Sequence, residues 1–192
     1  SILLISIRRN LEVTFGFSLA GTIVSFISLF FIRDLIPYRA GTILIIDRYS
    51  EYFMGLILIL SMLVYIITYI YSRSFNENKE ELFVLITISA IGGMVLSASS
   101  NFVSLLLGFE ILSATLYVMI SYFRESTAGL EAGIKYLVLA AASSAFLVLG
   151  MALIYAEAGS LEFASLSDRL AVSGEFSSMF ILAGTGLIIV GI

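Results

Sequence analysis

The sequence predicts an all-α, polytopic transmembrane helical bundle, and three observations carry that prediction. Apolar residues make up 60% of the 192 residues and charged residues only 12%, with a mean hydropathy of +1.08. A soluble domain carries about a quarter charged residues and about half apolar ones, so lipid must cover the excess apolar surface. The apolar residues also gather into stretches near the ~20 residues that a hydrocarbon core requires, separated by short charged breaks.

The elements follow in order. Residues 1–7 form a short apolar run ended by Arg8 and Arg9. This run lacks the charged-then-apolar order of a signal peptide and reads as a partial span. Five full spans are expected at residues 11–32, 52–71, 82–98, 102–122 and 130–156, with a second partial span at 177–192. Both termini look cut, and the sequence is expected to be a piece of a longer chain. The connections are mostly so short that consecutive spans must be antiparallel neighbours.

Two connections are longer. Residues 33–50 hold the only proline, Pro37, and a strand-forming run from Thr42 to Ile46, which predicts a surface hairpin. Residues 157–176 space Leu161, Phe163, Leu166, Leu170 and Val172 among polar neighbours, as in an interfacial amphipathic helix. The stretch from Glu77 to Glu81 reads as a solvated loop. Small residues from Ala140 to Ala145, with Gly150, predict close helix–helix approach, and Gly92-Gly93 is read the same way. Arg8, Arg9, Arg73, Lys79 and Arg124 fall on one side, against Arg33, Arg39, Arg48 and Arg169 on the other. That slight excess makes the Arg8 side the cytoplasmic one.

Composition also excludes functions. The chain has no Cys and no His, which removes thiolate clusters, the usual haem ligands, most zinc sites and histidine acid–base chemistry. No metal site and no bound cofactor is expected. A net charge of -4 leaves no basic face to neutralise phosphates, so nucleic acid is not a partner. No phosphate loop, nucleotide fingerprint or hydrolase elbow sits in a strand–turn–helix context.

Glu110 is the outlier, a carboxyl near the middle of an apolar span. Insertion scales put a charged group there at about 2.5–3.5 kcal/mol, so it is expected to face the bundle interior. A carboxyl that gains and loses a proton inside the membrane suits a proton relay; the plainer reading is a polar staple between helices. Glu131 and Lys135, four apart, share one helix face in the better orientation for an ion pair. They fit either a relay or an interface marker, with Lys135 snorkelling to the headgroups. Ser113, Tyr117 and Tyr136 are weaker candidates for hydrogen bonds to a relay.

The order Leu106-Leu-Gly-Phe-Glu-Ile-Leu-Ser113, then Leu116-Tyr-Val118, then Leu130-Glu-Ala-Gly-Ile-Lys-Tyr136 resembles the antiporter-like subunits of respiratory complex I. With Ala142-Ser-Ser-Ala-Phe-Leu147, Gly150-Met-Ala-Leu-Ile-Tyr155 and Gly159-Ser-Leu161, the resemblance runs to the N-type subunits of NADH-quinone oxidoreductases and covers about residues 102–161. It implies part of an inverted-repeat membrane-arm subunit that pumps protons as part of a translocating enzyme and does no redox chemistry itself. Flavin, iron–sulfur clusters and quinone would belong to other subunits. The family's buried glutamate falls on Glu110, and the glutamate and lysine that open the next helix fall on Glu131 and Lys135. The expected proton relay is therefore Glu110, Glu131 and Lys135, with Asp47 near the family's outer surface hairpin.

The family's glutamate pairs with a lysine on a broken helix further along, and no such lysine precedes Ile192. As given, the chain is not expected to be a complete proton channel. The implied partners are other membrane-arm subunits, including further antiporter-like ones, the lipid bilayer and protons. The implied location is an energy-coupling membrane, the prokaryotic cell membrane or alternatively an organellar inner membrane. Competing readings are a subunit of an Mrp-type cation/proton antiporter, a related hydrogenase or reduced-F420 dehydrogenase membrane subunit, and a non-pumping structural scaffold.

Overall fold

The computed structural model describes residues 10–74, 80–122, 127–173 and 179–192. The first partial span, Arg8, Arg9, Lys79 and Arg124 lie outside those residues. Among the described residues the helices are α1 (Leu11–Ile32), α2 (Arg48–Ser74), α3 (Glu80–Ser97), α4 (Phe102–Ile120), α5 (Thr127–Ala158), α6 (Phe163–Ser173) and α7 (Met179–Gly191). The first five of these are long and apolar enough to cross a membrane. At 1.5 Å per residue the 32-residue α5 is about 48 Å long, well beyond a ~30 Å hydrocarbon core.

Three of the described spans start where a polar side chain satisfies orphan backbone amides. Asn10 accepts from the Glu12 amide at the head of α1. Asp47 and Ser50 cap α2 reciprocally: Asp47 Oδ1 accepts the Ser50 amide at 2.7 Å and Ser50 Oγ accepts the Asp47 amide at 2.8 Å. Asn101 and Ser104 form a capping box on α4. Along α1 the buried face is hydroxylic, Thr14, Ser18 and Thr22, while Phe17, Val24 and Phe31 are exposed. Such a polar-inside pattern suits lipid surroundings. Thr14 and Thr22 donate their hydroxyls to carbonyls of their own helix.

Two apolar clusters organise the bundle, and α4 bridges them. The first, between α2 and α3, holds Tyr65, Phe83 and Ile86, with Phe15 of α1 stacked on Tyr69 at 4.3 Å and Met119 of α4 packed against it. The second holds Leu147, Met151 and Ile154 of α5 with Leu166 of α6 and Ile188 of α7, covered by Phe102, Leu106 and Phe109 of α4. Small residues set the closest approaches. A Cβ on Gly108 would sit 2.9 Å from the Leu96 amide nitrogen, and one on Gly150 would sit 2.6 Å from the Gly184 carbonyl oxygen. Gly92 and Gly93 serve different neighbours, α4 and Ile57 of α2 respectively. Of the small-residue run on α5, Ala141, Ala142 and Ala145 are exposed, whereas the Ser143 carbonyl touches Gly191.

The surface hairpin pairs β1 (Tyr38–Ala40) with β2 (Leu44–Ile46), in the register Tyr38↔Ile46. Gly41, at φ +70°, makes the turn that other residues would strain to adopt. Its ladder does not stop at β2. The Ile45 amide donates to Ala98, Ser100 to Ile43, Phe102 to Leu161, and Phe163 to Ser100. The extended link 98–101 is therefore a middle strand that stitches the hairpin to the start of α6.

Candidate functional site

Glu110 is not inside this bundle. Towards α3, the packing arc of α4 is taken by Gly108, Ile111 and Leu112. Phe102, Leu106 and Phe109 face the second cluster. Between those arcs runs a stripe of exposed residues, Val103, Leu107, Glu110 and Val118, and Glu110 lies on it without a hydrogen-bond or ion-pair partner among the described residues. Within the described residues Glu110 thus faces outward, because the glycine face of α4 is taken by α3 and its aromatic face by the second cluster. Lengthwise the position is as expected: Glu110 is eight residues from the start of α4, about 12 Å along a 19-residue helix.

Glu131 and Lys135 do meet. Lys135 Nζ is 2.5 Å from Glu131 Oε1, with the two side chains 71% and 65% exposed. Their direction separates them from Glu110. Gly133, two residues from each, packs against Ser121 of the α4 terminus, where a Cβ would come 2.7 Å from Ser121 Cβ. At 100° per residue, Glu131 and Lys135 point to the opposite side of α5 from that contact. Ser113, Tyr117 and Tyr136 are half-buried and make no side-chain hydrogen bond among the described residues.

A group that the sequence reading placed in a solvated loop belongs to the protein interior. Glu80 opens α3 and is 1% exposed, with Oε2 enclosed and unpartnered. Its neighbour Glu81 accepts a hydrogen bond from the Tyr122 hydroxyl at 2.5 Å, joining the head of α3 to the end of α4. Leu82 and Phe83, both buried, draw this first turn into the bundle. The legible signal was that adjacency: two carboxylates at the end of a polar run, immediately before core residues. Deeper in the same cluster, the fully buried Tyr65 shares a hydrogen bond with Thr87 Oγ1 at 2.7 Å.

Among the described residues no group of three His, Cys, Asp or Glu is placed to hold a metal ion. The arrangement offers carboxylates, a lysine and hydroxyls at several depths of an apolar bundle. Such groups bind and pass protons without bonds being made to a substrate.

The helices and their packing make up a multi-span membrane chain, and its residues 99–192 match the family described as NADH:quinone oxidoreductase/Mrp antiporter, transmembrane. Over 195 residues the chain is 39% identical to NADH-quinone oxidoreductase subunit N of Ectopseudomonas mendocina (strain ymp), which covers 99% of this chain and 39% of that protein. The fold is shared with a chain of respiratory complex I from Thermus thermophilus, solved with bound aureothin, at a TM-score of 0.78 and 24% identity over 99% of this chain and 40% of that one. It is shared equally with a chain of the membrane-bound sulfane sulfur reductase, an archaeal respiratory membrane complex, at a TM-score of 0.83 and 22% identity over 98% and 40%. This chain thus spans about two fifths of the relatives it matches.

Proposed function

We propose that this chain is part of a proton-translocating membrane-arm subunit of an NADH-quinone oxidoreductase, coupling quinone reduction elsewhere in the complex to proton movement. The observation that carries this reading is the 39% identity to a subunit N running through all but 1% of the chain. Flavin, iron–sulfur clusters and quinone belong, in this proposal, to other subunits. The partners are further membrane-arm subunits, and the location is the prokaryotic cell membrane.

Glu110 is the proton-carrying group in this proposal. Its bare stripe on α4 is the face against which additional spans of a longer subunit would pack, and a cation brought there would favour the ionised carboxyl. Withdrawing the cation would favour proton uptake, which couples a moving charge to a proton without substrate chemistry. Glu131 and Lys135, pointing away from α4, act as a second station reached through neighbouring spans. In the intact complex Glu110→Gln is expected to cut proton pumping and coupled quinone reduction at normal assembly. Full pumping in that variant would sink the proposal.

A second reading has its own support. The sulfane sulfur reductase chain carries the same fold, and the family description spans Mrp antiporters. Fold alone does not select the chemistry that drives the proton. Co-purification discriminates: the first reading requires a quinone-reducing peripheral arm, and an antiporter assembly would lack one.

A further inference from the structure

Three side-chain oxygens are enclosed and lack a hydrogen-bond partner among the described residues: Ser18 Oγ of α1, Ser72 Oγ of α2 and Glu80 Oε2 of α3. They come from three helices that share one seam, and their residues are 7%, 3% and 1% exposed. Leaving a buried polar group unpartnered is costly, and folded proteins commonly satisfy such groups with internal water.

Contacts along the seam fix which residues stand level. Phe15 stacks on Tyr69 at 4.3 Å, and a Cβ on Gly55 would lie 3.8 Å from the Phe26 ring. This antiparallel register of α1 and α2 puts Ser18 level with Tyr65, and Thr22 level with Ser61. Between α2 and α3, Tyr65 bonds Thr87 at 2.7 Å and Ile57 lies against Gly93. Followed to the helix ends, that register brings Ser72 to the first turn of α3, where Glu80 stands. The seam therefore has two polar levels, one at the head of α3 and one about 10 Å further along it, at Thr87.

At the inner level the protons can be assigned. Thr87 donates to the Phe83 carbonyl at 2.7 Å, so the bond between Tyr65 and Thr87 uses the Tyr65 proton. Thr22 donates to the Ser18 and Leu19 carbonyls, and Ser61 donates to the Ile57 carbonyl. The Tyr65, Thr22 and Ser61 oxygens thus keep lone pairs and no free proton. Ser18 is the reverse. Its hydroxyl does not bond back to its own helix, as those of Thr14, Thr22 and Ser61 do, and its proton is unspent. A water accepting from Ser18 and donating to two of these oxygens makes three hydrogen bonds, about the usual number for an internal water. At the outer level Glu80 Oε2 and Ser72 Oγ supply an acceptor and a hydroxyl for another.

We propose that the seam of α1, α2 and α3 binds internal water at two stations, an outer one at Glu80 and Ser72 and an inner one at Ser18, Tyr65 and Ser61. The rings of Phe15, Tyr69 and Phe83 lie between them. The stations hydrate this half of the bundle at two depths, apart from Glu110 on the exposed stripe of α4. They are bound whether or not Glu110 carries protons.

The test uses the intact, full-length membrane complex in lipid nanodiscs. X-ray radiolysis in water carrying a heavy oxygen isotope makes hydroxyl radicals wherever water sits, and mass spectrometry locates the side chains that take up the isotope. Tyr65 and Phe83, both fully buried, are expected to be labelled, the first from the inner station and the second from the outer one. Met151, 5% exposed in the wholly apolar second cluster, is expected to stay unlabelled although methionine is the more reactive side chain. Ser18→Val, which removes the donor and fills its space, is expected to lose the label at Tyr65 and keep it at Phe83. Tyr65 or Phe83 as unlabelled as Met151 overturns the proposal. So does equal label on all three, which reports solvent entering the whole bundle, and so does a Tyr65 label that survives Ser18→Val. If that variant fails to assemble, the comparison of the three side chains in the unaltered protein decides alone.

Discussion

Around Glu110 each neighbour on α4 is committed. Gly108 admits the α3 backbone, Phe109 fills the second cluster, and Ile111 lies against Gly92. Among the described residues the stripe through Val103, Leu107 and Glu110 is exposed. Changes at Glu110 should therefore alter proton handling far more than packing, and that is why Glu110→Gln is informative. Lys135 invites a similar separation. Its ion pair with Glu131 is largely exposed on both sides, and such pairs contribute about 0.5 kcal/mol or less. Lys135→Met is expected to leave the unfolding midpoint almost unchanged, so any large loss of coupled turnover in that variant reports on function. Tyr122 is the opposite case. Its hydroxyl ties α4 to Glu81 of α3. Tyr122→Phe is expected to cost about 1 kcal/mol, visible as a lowered thermal midpoint without loss of the fold. An unshifted midpoint would mean that water replaces the bond.

At the scale of elements, close approach decides more than hydropathy does. Gly150 of α5 and Gly184 of α7 face each other so tightly that a methyl on either meets the carbonyl oxygen of the other at 2.6–2.7 Å. Backbone cannot step aside as a flexible side chain would. Gly150→Ala should therefore lower stability by about 1–3 kcal/mol, the usual range for overpacking. Gly16→Ala on α1, where nothing lies within 4 Å, should be neutral or slightly stabilising. Comparing the two midpoints checks the packing directly. The spans themselves were legible, because twenty apolar residues have no alternative but a helix in lipid. Which face of each span packs was not. When every side of a helix is apolar, periodicity no longer separates a neighbour from lipid, and so Glu110 was expected to point inward. The ladder through residues 98–101 was equally hidden, since it pairs backbone groups far apart in sequence and leaves no pattern in Ser99-Ser100-Asn101. Glu80 escaped notice because it adjoins a polar run, although Leu82 and Phe83 bury its turn.

For the whole molecule, the two apolar clusters hold α1–α3 on one side of α4 and α5–α7 on the other, leaving the Glu110 stripe as an outer face between them. The outer face of α1 is bare for another reason. Its exposed large side chains include Phe17, Val24, Phe30 and Phe31, all at home in hydrocarbon. A lipid-facing surface has no use for a carboxyl, so the stripe and the α1 face must differ in what covers them in the assembled membrane protein. Nitroxide labels at Leu107→Cys and Val24→Cys separate the two cases, because oxygen concentrates in lipid and collides freely with labels exposed to it. In the full-length protein in its native complex, the label at residue 24 is expected to show high oxygen accessibility. The label at 107 is expected to be shielded from both oxygen and a water-soluble nickel chelate, as a site packed against protein is. Equal, high oxygen accessibility at both positions would place Glu110 against lipid and remove the physical basis for reading it as a proton carrier.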